Sequence, residues 1–530
     1  METPVARPAG ERIFLPIGFA ACLAGVAFLP PFRQSPNAVI ATWVAELALA
    51  LWTAVLVESV RRKGRKLTIE VVVRKQHWLQ ACAQLSVLAY WGWFWPPVYA
   101  FAPFILAQLL FAYAFDMLLC WSRRDNYTLG FAPFPVIFSI NLFLWFKADW
   151  FYLQYLLVAV GFAAKEFIRW NRDGRRAHIF NPSSFPLAVF SLVLLATGKS
   201  DITWGLAISH TQWFPPHIYL FLFLIGLPGQ FFFGVTSMTM SAVVAAFAFS
   251  RLYLALTGVY FFYASDIPIS VFLGMHLLFT DPSTSPRTEL GRIIYGVLYG
   301  LGTVAFFELL GRMGMPRFYD KLLPVPLLNL SVIGIDRLAR SPFLRWLDPA
   351  ALGRSLLPRQ RTLAYMSVWV VVFAALSAVN GVGDSHPGQW LPFWRKACED
   401  RRSYACSYLY SVESDSCNLG SGWACNEASL LQINLSRSGE LQHKSDLTLA
   451  ARPLRSGCQL GFDAACRNLS TLTGAVGGAG AFASPPPTLK DYPILLRGSK
   501  AEISERSPAA LYALACKEGW PGTCGQTKAP

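Results

Sequence analysis

The stretch IYLFLFLIGLPGQFFFGVTSMTMSAVVAAFAFS, residues 218–250, decides the class of this protein. It lies within a run of 49 residues, Ile202 to Ser250, that contains no Asp, Glu, Lys or Arg. A water-soluble domain cannot easily bury so long an uncharged run, whereas about 20 apolar residues in a helix cross the ~30 Å core of a bilayer. Together with the two runs inside this stretch, the apolar runs of the chain lie at about 13–32, 38–60, 78–96, 97–121, 130–147, 149–169, 183–199, 216–235, 237–257, 259–281, 293–311 and 363–379. The chain is therefore predicted to carry roughly twelve membrane segments.

The composition of the 530-residue chain agrees with this prediction. It is 54% hydrophobic and 15% charged, against a usual charged share of about 25%, which excludes a disordered chain, a coiled coil and an ordinary soluble enzyme. The net charge of +15 does not indicate nucleic-acid binding, because the basic residues gather in short loops between apolar runs. Residues 1–385 hold 31 Lys/Arg and 19 Asp/Glu, and residues 386–530 hold 15 and 12. The sequence thus predicts a large membrane part followed by a smaller polar domain.

The basic loops set the orientation. Basic clusters follow the second, fourth and sixth apolar runs, and the stretch 312–361 is rich in arginine. Because positively charged loops stay in the cytoplasm, these loops and the N-terminus are predicted to be cytoplasmic. Strict alternation would place 312–361 outside, so one segment must not cross. The short segment 183–199 follows Pro-rich sequence and is predicted to be re-entrant, since irregular backbone is tolerated where protein surrounds it.

An internal repeat supports this topology. Residues 178–186 read HIFNPSSFP and residues 278–286 read LFTDPSTSP, displaced by 100 positions. Proline breaks a helix, and Asn, Asp, Ser and Thr satisfy the freed backbone groups. Two such breaks at matching places predict an inverted-repeat membrane fold with broken helices. The alternative interpretation is that both are ordinary helix-capping loops.

These motifs resemble the NqrB/RnfD family, the membrane subunits of sodium-pumping NADH:quinone reductase and of the Rnf complex. The similarity rests on TDPSTSP at 280–286, on Gly291-Arg292, on Ile294-Tyr295-Gly296 and on Phe180-Asn181-Pro182. It covers roughly residues 75–320 and extends to the stand-alone relatives called UnbU. The resemblance implies an all-α, polytopic helix bundle like that of urea transporters, which holds flavin and passes electrons across or along the membrane.

The family carries covalent FMN on a threonine in a motif of the form Asp-x-x-Ser/Thr-Gly-Ala-Ser/Thr. The matching stretch here is QFFFGVT at 230–236, in which Gly234 and Thr236 agree while Gln230, Phe233 and Val235 depart. The resemblance therefore implies FMN or riboflavin, with these cofactor-binding candidates: Thr236, Gly234, Asn181, Asp281 and Thr284. Two alternatives stay open, a noncovalent flavin and a flavin-free chain in which these hydroxyls bond within or between membrane helices.

Charged or titratable residues inside apolar runs are further candidates, because each costs free energy in a bilayer. Asp266 lies in the sequence Ala264-Ser-Asp-Ile-Pro268, beside a helix breaker, and His276 follows ten residues later. Both are predicted to serve a path for a cation or a proton.

Eight of the eleven cysteines lie after residue 397 and form four pairs with C-x7-C spacing: Cys398 and Cys406, Cys417 and Cys425, Cys458 and Cys466, Cys516 and Cys524. Metal ligands usually stand closer and with histidines, so disulfides are predicted. Residues eight apart span about 12 Å along a helix, so a pair closes only if the chain turns between its members. Local pairing around such turns is predicted, although the sequence alone leaves the connectivity open.

The sequences SCNLGSGWAC at 416–425 and GCQLGFDAAC at 457–466 resemble cysteine-rich Sel1-like repeats, which are α/α hairpins. The Gly/Ala/Pro-rich stretch 474–487 is predicted to be a flexible insertion. Disulfides form in oxidising compartments, and a span at 363–379 would deliver this region to the periplasm. Localisation in a bacterial inner membrane, with a periplasmic C-terminal domain, is therefore predicted.

The predicted organisation has five parts. They are N-terminal spans at 1–75, the NqrB/RnfD-like membrane domain at 76–320, a basic cytoplasmic segment at 321–362, the last span at 363–380 and the repeat domain at 390–530. The resemblance implies a redox subunit without stand-alone catalysis, in contact with the lipid bilayer, other redox subunits and a periplasmic protein, but not nucleic acid. Two alternatives are a flavin-free transporter or channel-like protein, and a scaffold whose repeats bind a protein partner.

Overall fold

The computed structural model describes residues 14–172, 174–352, 356–438, 447–474, 481–496 and 507–527, and these are mostly helical. The α-helices are α1 Phe14–Val26, α2 Pro30–Arg33, α3 Pro36–Lys63, α4 Lys75–Phe94, α5 Pro97–Ala100, α6 Ala102–Arg123, α7 Pro133–Asn141, α8 Phe151–Phe167, α9 Ser184–Thr197, α10 Gly205–Thr211, α11 Ile218–Phe233, α12 Thr236–Thr257, α13 Ile269–Leu277, α14 Glu289–Arg312, α15 Pro324–Ala339, α16 Pro349–Leu352, α17 Pro358–Ala378, α18 Leu391–Glu399, α19 Ala405–Asn418, α20 Gly422–Ser438, α21 Leu447–Gln459, α22 Asp463–Leu472, α23 Tyr492–Leu495 and α24 Pro508–Lys517.

Short strands interrupt the otherwise helical chain. In the described part, β1 (Thr68–Val71) pairs in parallel with β2 (Asn126–Leu129), and β3 (Arg169–Arg172) pairs antiparallel with β4 (Arg175–His178). All four strands adjoin the basic loops of the sequence. Within the described ranges, the named strands thus lie where charged residues cluster, and one isolated bridge joins Phe146 to Thr203.

The helix ends follow local chemistry, as α3 illustrates. The Ser35 side chain accepts a hydrogen bond from the Ala38 amide, and Pro36 supplies the fixed backbone angle favoured in a first turn. Basic residues occupy the last turn, where they complement the helix dipole. The helix stops at Gly64, which adopts the left-handed conformation that glycine tolerates best.

Six helices within the described ranges are long and apolar enough to cross a membrane. They are Pro36–Lys63, Ala102–Arg123, Thr236–Thr257, Glu289–Arg312, Arg317–Ala339 and Arg359–Ala378. Several carry their apolar side chains on the outside, and Val55 and Val371 are 68% and 67% exposed. Large exposed apolar surface of this kind is compatible with a membrane protein. One of the six, at 317–339, overlaps the segment 321–362 that the sequence predicts to be cytoplasmic.

The chain divides into two compact units. The first comprises residues 1–246 and 269–375, and the second comprises residues 247–268 and 376–530. In the first unit, Trp91, Trp95 and Trp145 pack with Phe101, whose ring stacks on Trp145 at a centroid distance of 4.4 Å. Aromatic stacking and apolar helix packing thus form the core of this unit.

Four disulfides are present in the described part of the second unit, and each joins the two members of one C-x7-C pair. The Cα atoms of the pairs lie 4.5–4.8 Å apart, as a turn between helices requires. Gly420, Gly461 and Gly519 supply positive φ angles in three of these turns. The fourth, between Cys398 and Cys406, contains no glycine, and the same backbone region is taken by Arg401 and Tyr404. The prediction of locally closed disulfides is confirmed.

The remaining cysteines and the predicted insertion complete this comparison. Cys22, Cys82 and Cys120 are free thiols among the described residues. Of the stretch 474–487, residues 481–487 lie outside any helix or strand but make defined hydrogen bonds to the repeats. Residues 475–480 lie outside the described residues. The flexibility of this stretch stays a prediction.

Candidate functional site

The two repeated motifs fold into matching turns in the first unit. The Asn181 Oδ1 atom accepts hydrogen bonds from the Ser183 amide and hydroxyl, at 2.9 and 2.7 Å. The Asp281 Oδ1 atom accepts the same two bonds from Ser283, at 2.9 and 2.6 Å. In both turns, the side chain of Asn181 or Asp281 therefore accepts the hydrogen bonds that backbone carbonyls accept inside a helix.

The two turns contact each other. The Asn181 amide group donates to the Leu278 carbonyl at 2.9 Å, three residues before Asp281. His178 also reaches across, with its Nε2 atom 2.8 Å from the Ser283 hydroxyl and 3.5 Å from Asp281. The structure thus brings together Asn181, Asp281 and Thr284, whose hydroxyl lies 3.3 Å from the Asp281 carboxylate.

Asn329 on α15 joins both turns from a third element. Its Oδ1 atom accepts from the Asn181 amide at 3.1 Å, and its Nδ2 atom donates to the Thr284 carbonyl and the Tyr295 hydroxyl at 3.3 and 2.8 Å. The side chain is fully buried. Both amide hydrogens and the oxygen of Asn329 are therefore used, and two of these three bonds hold the two turns together.

Asp336, two turns further along α15, holds the ends of the same assembly. Its carboxylate accepts from the Arg172 guanidinium at 2.8 Å and from the amides of Arg287 and Thr288 at 3.0–3.1 Å. Arg172 and Asp336 are both buried. Because removing one partner would leave the other charge unpaired, this ion pair binds β3, the second motif and α15 together.

A small cavity lies beside the paired turns, between α11 and α13. Its volume is about 20 Å³, enough for one water molecule. Gln230, His276 and Thr280 line it, together with Gly226 and Gly229. A Cβ atom at Gly226 would stand 3.0 Å from the His276 ring and 3.4 Å from the Gln230 amide nitrogen. The missing side chain therefore helps to keep this space open.

Polar side-chain atoms beside this cavity lack hydrogen-bond partners, unlike those of the two turns. Among the described residues, the Gln230 Oε1 and Nε2 atoms and the His276 Nε2 atom have no hydrogen-bond partner, although both side chains are buried. The His276 Nδ1 atom lies 2.8 Å from the Phe272 carbonyl. Since a carbonyl oxygen only accepts, Nδ1 carries the hydrogen, and Nε2 keeps a lone pair. The cavity therefore offers a proton acceptor beside an amide that can both donate and accept.

Thr236 is the first residue of α12. Its hydroxyl and that of Thr239 have no hydrogen-bond partner within the described part of the chain, and both side chains are buried. The Arg292 guanidinium donates to the Gly234 carbonyl at 2.7 Å and pairs with Glu289 at the same distance. A helix N-terminus with a nearby arginine suits a phosphate group. Of the flavin candidates, Gly234 and Thr236 lie together at the start of α12, whereas the hydrogen-bonded group of Asn181, Asp281 and Thr284 does not include them.

The flavin ring does not fit the space that this site offers. Isoalloxazine has three fused rings, whereas the cavity next to Gln230 and Val235 admits about one water molecule. Thr236 itself is 1% exposed. The residues suit a phosphate, but the cavity beside Gln230 and Val235 is too small for the ring.

Asp266 and His276, predicted to share one path, belong to different compact units. The Asp266 carboxylate is fully buried and lies 2.7 Å from the Arg251 guanidinium and 3.3 Å from the His386 Nε2 atom. The Gly388 amide donates to His386 Nδ1 at 3.1 Å, so the Nε2 hydrogen faces Asp266. Arg251 neutralises the carboxylate, and the cluster ties residues 247–268 to 376–388 within the second unit.

Comparison with known proteins adds no relative: no family model, curated protein or solved structure matches this chain. The interpretation of the site therefore depends on its geometry and on the residues of the two motifs.

Sequence reasoning missed Asn329, Asp336 and Arg172. Asn329 and Asp336 stand seven positions apart on α15, in line with the buried residues Val325, Val332 and Ile335. Positions spaced in this way share one helix face. The helical spacing of the apolar residues in 324–339 could have revealed Asn329 and Asp336, because both are polar residues on an otherwise apolar helix face. The sequence offers no comparable pattern for Arg172.

Proposed function

We propose that this chain is an integral membrane protein of the inverted-repeat type, related to the NqrB/RnfD proteins, that conducts protons through its first unit without a flavin. One observation carries the proposal: the partnerless Gln230 amide and His276 Nε2 atom border a cavity that takes a single water. Unsatisfied polar groups cost several kcal/mol in a hydrocarbon interior. Residues that bear such a cost inside membrane segments usually mark a route for ions or protons.

The size of the cavity favours protons over larger solutes. A space of about 20 Å³ excludes sugars, amino acids and nucleotides. A water in it would donate to the His276 lone pair and exchange hydrogen bonds with Gln230, and a proton moves along such a chain by transfer between neighbours. The paired turns hold the helices that frame this route, in the way proposed for broken helices of inverted repeats.

Helix packing supports a membrane setting for this unit. Gly296 and Gly300 on α14 form a GxxxG pattern, and a Cβ atom at either would collide with the backbone of α12 at Met238 or Ala242. Close approach through small residues is a common way for membrane helices to associate. We place this unit in a bacterial inner membrane with the basic loops in the cytoplasm, and the disulfide-bonded repeats in the periplasm.

Proton flux into liposomes tests the proposal. The purified full-length protein is reconstituted with an internal pH-sensitive dye, and a potassium gradient with valinomycin drives proton entry. Wild type is expected to acidify the lumen well above the rate of protein-free liposomes, and His276→Leu is expected to abolish the excess. His210→Leu, a substitution at an exposed histidine of α10, is the control and should behave as wild type. Equal flux in wild type and His276→Leu would overturn the proposal.

A second candidate function is a flavin-dependent electron-transport subunit of the Rnf or Nqr kind. It is favoured by the partnerless Thr236 hydroxyl at the start of α12 and by Arg292 beside it, which together suit a phosphate ester. The tightness of the adjoining space argues against it.

Flavin fluorescence separates the two candidates. Protein denatured after purification should be colourless and lack flavin fluorescence if the chain is flavin-free. Yellow protein whose fluorescence disappears in Thr236→Val, but not in Thr239→Val, would instead establish the electron-transport function.

A further inference from the structure

A segment of the second unit lies across the disulfide-stapled repeats as a bound peptide would. Residues 482–485, Phe-Ala-Ser-Pro, follow no helix or strand. They precede two further prolines, and consecutive prolines hold a chain in the extended polyproline conformation. We refer to residues 482–485 as the strap.

Two asparagines grip the strap through its backbone. The Asn468 side chain accepts from the Ala483 amide and donates to the Ala483 carbonyl, both at 2.8 Å. Asn426 donates to the same carbonyl at 3.0 Å and accepts from Asn468 at 2.7 Å. A side-chain amide that pairs with both backbone groups of one residue recognises an extended chain rather than a particular side chain.

Two further contacts set register. The Trp423 indole donates to the Pro485 carbonyl at 3.0 Å. The Ser484 hydroxyl lies 2.8 and 2.9 Å from the two oxygens of Glu427. The Trp423 contact is to backbone and does not depend on the side chain at 485. The Glu427 contact requires a hydroxyl side chain at position 484, directly after the small residue Ala483.

The groups that hold the strap are more deeply buried than the strap itself. Asn426 and Asn468 are 0% and 1% exposed, whereas Ser484 is exposed and the other three strap residues are half-buried. Without the strap, both buried amides would lose their bonds to Ala483 and keep only those to each other and to Glu427, and a buried polar group left without a partner costs about 1–3 kcal/mol. The surface formed by Trp423, Asn426, Glu427 and Asn468, which we call the groove, is therefore built to be occupied by an extended chain.

The strap is tethered beside the groove. Asp491 accepts hydrogen bonds from Thr488 with one oxygen and from Ser421 and the Trp423 amide with the other. This anchor holds the chain three residues past the strap against the start of α20. A tethered ligand of this kind has an effective concentration on the order of millimolar.

We propose that the strap is a ligand supplied by the chain itself, which occupies a peptide-binding groove of the repeats until a partner replaces it. The partner is an extended protein segment with a small residue followed by serine or threonine, since the groove reads backbone plus one hydroxyl. If the strap itself binds the open groove with a dissociation constant of about 10 μM, its millimolar effective concentration weakens the binding of any competing partner roughly 100-fold. The inference is independent of the proposed proton conduction.

Binding of a labelled peptide in trans tests this. The probe is a fluorescent synthetic peptide of residues 481–488, AFASPPPT, added to the full-length protein in detergent and followed by anisotropy. Ala483→Pro removes the amide that Asn468 accepts from and should free the groove, so that the probe binds at least about tenfold more tightly than to wild type. Adding Asn468→Ala should abolish this binding, and Pro486→Ala, at an exposed strap neighbour, should leave the wild-type value unchanged.

A milder variant keeps the test decisive if Ala483→Pro disturbs folding. Ser484→Ala removes only the hydroxyl contact to Glu427 and should tighten probe binding by a few fold. Circular dichroism and intact disulfides establish that the variants are folded. Folded variants that bind the probe no better than wild type would overturn the proposal and leave the strap a purely structural element.

Discussion

The paired turns and the cavity are both polar insertions into the apolar first unit, but they treat their polar atoms in opposite ways. In the turns, Asn181, Asp281 and Asn329 have partners for their side-chain atoms at ordinary distances. At the cavity, within the described residues, Gln230 and the His276 Nε2 atom have none. Polar side chains whose hydrogen bonds are complete hold the fold together. Buried polar atoms without partners are instead free to bond a water molecule, an ion or a proton that the protein binds or transports. The comparison separates architecture from function inside one unit.

The strongest way to break this comparison is to remove Asn329. Asn329→Ala leaves the Asn181 amide, the Thr284 carbonyl and the Tyr295 hydroxyl without this partner, and we expect a loss of about 3–5 kcal/mol of stability. Thermal unfolding in detergent measures it. Asn37→Ala, at an exposed asparagine of α3, is the control and should cost much less. An unchanged melting temperature in Asn329→Ala would show that the turns do not depend on α15.

Close helix packing is the next largest effect. Gly296→Ala places a Cβ atom against the Met238 carbonyl and the Ser241 hydroxyl on α12, and we expect a loss of about 2–3 kcal/mol. Gly334→Ala is the matched control, because a Cβ atom there meets nothing within 4 Å and alanine favours a helix over glycine by up to about 1 kcal/mol. The two variants should therefore shift the melting temperature in opposite directions.

A substitution at the cavity should affect stability in the opposite direction to a substitution in the turns. Gln230→Leu replaces an amide without partners by an apolar group of similar size, so stability should be unchanged or higher by about 1 kcal/mol. Proton flux in the liposome assay should nevertheless fall. A large loss of stability would mean that Gln230 is a structural residue like Asn329, and the contrast between the two regions would disappear.

The smallest expected effect concerns Glu413 in the second unit. Here too a polar side chain with partners lies beside one that lacks them, since both carboxylate oxygens of the nearby Glu427 accept hydrogen bonds. The neighbouring Glu413 is buried, and among the described residues its Oε2 atom has no partner. Burial, with a smaller contribution from the negative charge of Glu427, raises the pKa of Glu413 well above its ordinary value of 4.5. The folded state thus keeps a proton that the unfolded chain releases above about pH 4.5, so this residue's contribution to stability falls as the pH rises from there towards the raised pKa.

Glu413→Gln removes that dependence. We expect the variant and wild type to unfold alike near pH 4 and the variant to be more stable by about 1 kcal/mol at neutral pH. Urea unfolding of the full-length protein, followed at several pH values, measures the difference. A gap that is constant with pH would show that Glu413 does not titrate differently in the folded state.

Local patterns in the sequence predicted local structure well. The uncharged runs predicted apolar helices, although the described part has six that could span a membrane against roughly twelve predicted segments. The C-x7-C spacing predicted the four disulfides, because the deciding residues are near neighbours in the chain. The matching Asn-Pro-Ser and Asp-Pro-Ser turns were visible for the same reason. The first disulfide turn shows the limit of such rules, since it closes without glycine and Arg401 and Tyr404 adopt the positive φ angles that glycine supplies in the other three turns.

The polar contacts between distant segments were not predictable. Asn329 meets Asn181 across 148 positions, and Asp336 meets Arg172 across 164, so no window of sequence contains either pair. Gln230 was visible only as a departure from the flavin motif, and its lack of partners appears only once the helices are packed. The strap was predicted to be flexible from its composition, although two asparagines elsewhere in the chain hold it.

The order of the disulfides along the chain has a consequence for how the repeat domain is made. Each of the four disulfides joins two cysteines that follow one another in the sequence, from Cys398–Cys406 to Cys516–Cys524. In the proposed periplasmic placement, this domain is threaded through the membrane from its N-terminal end, so its thiols are exposed one at a time and every second thiol arrives just after its correct mate. Simple stepwise oxidation then selects one arrangement from on the order of a hundred. Biogenesis of this domain should therefore need a thiol oxidant but little help from an enzyme that reshuffles incorrect bonds.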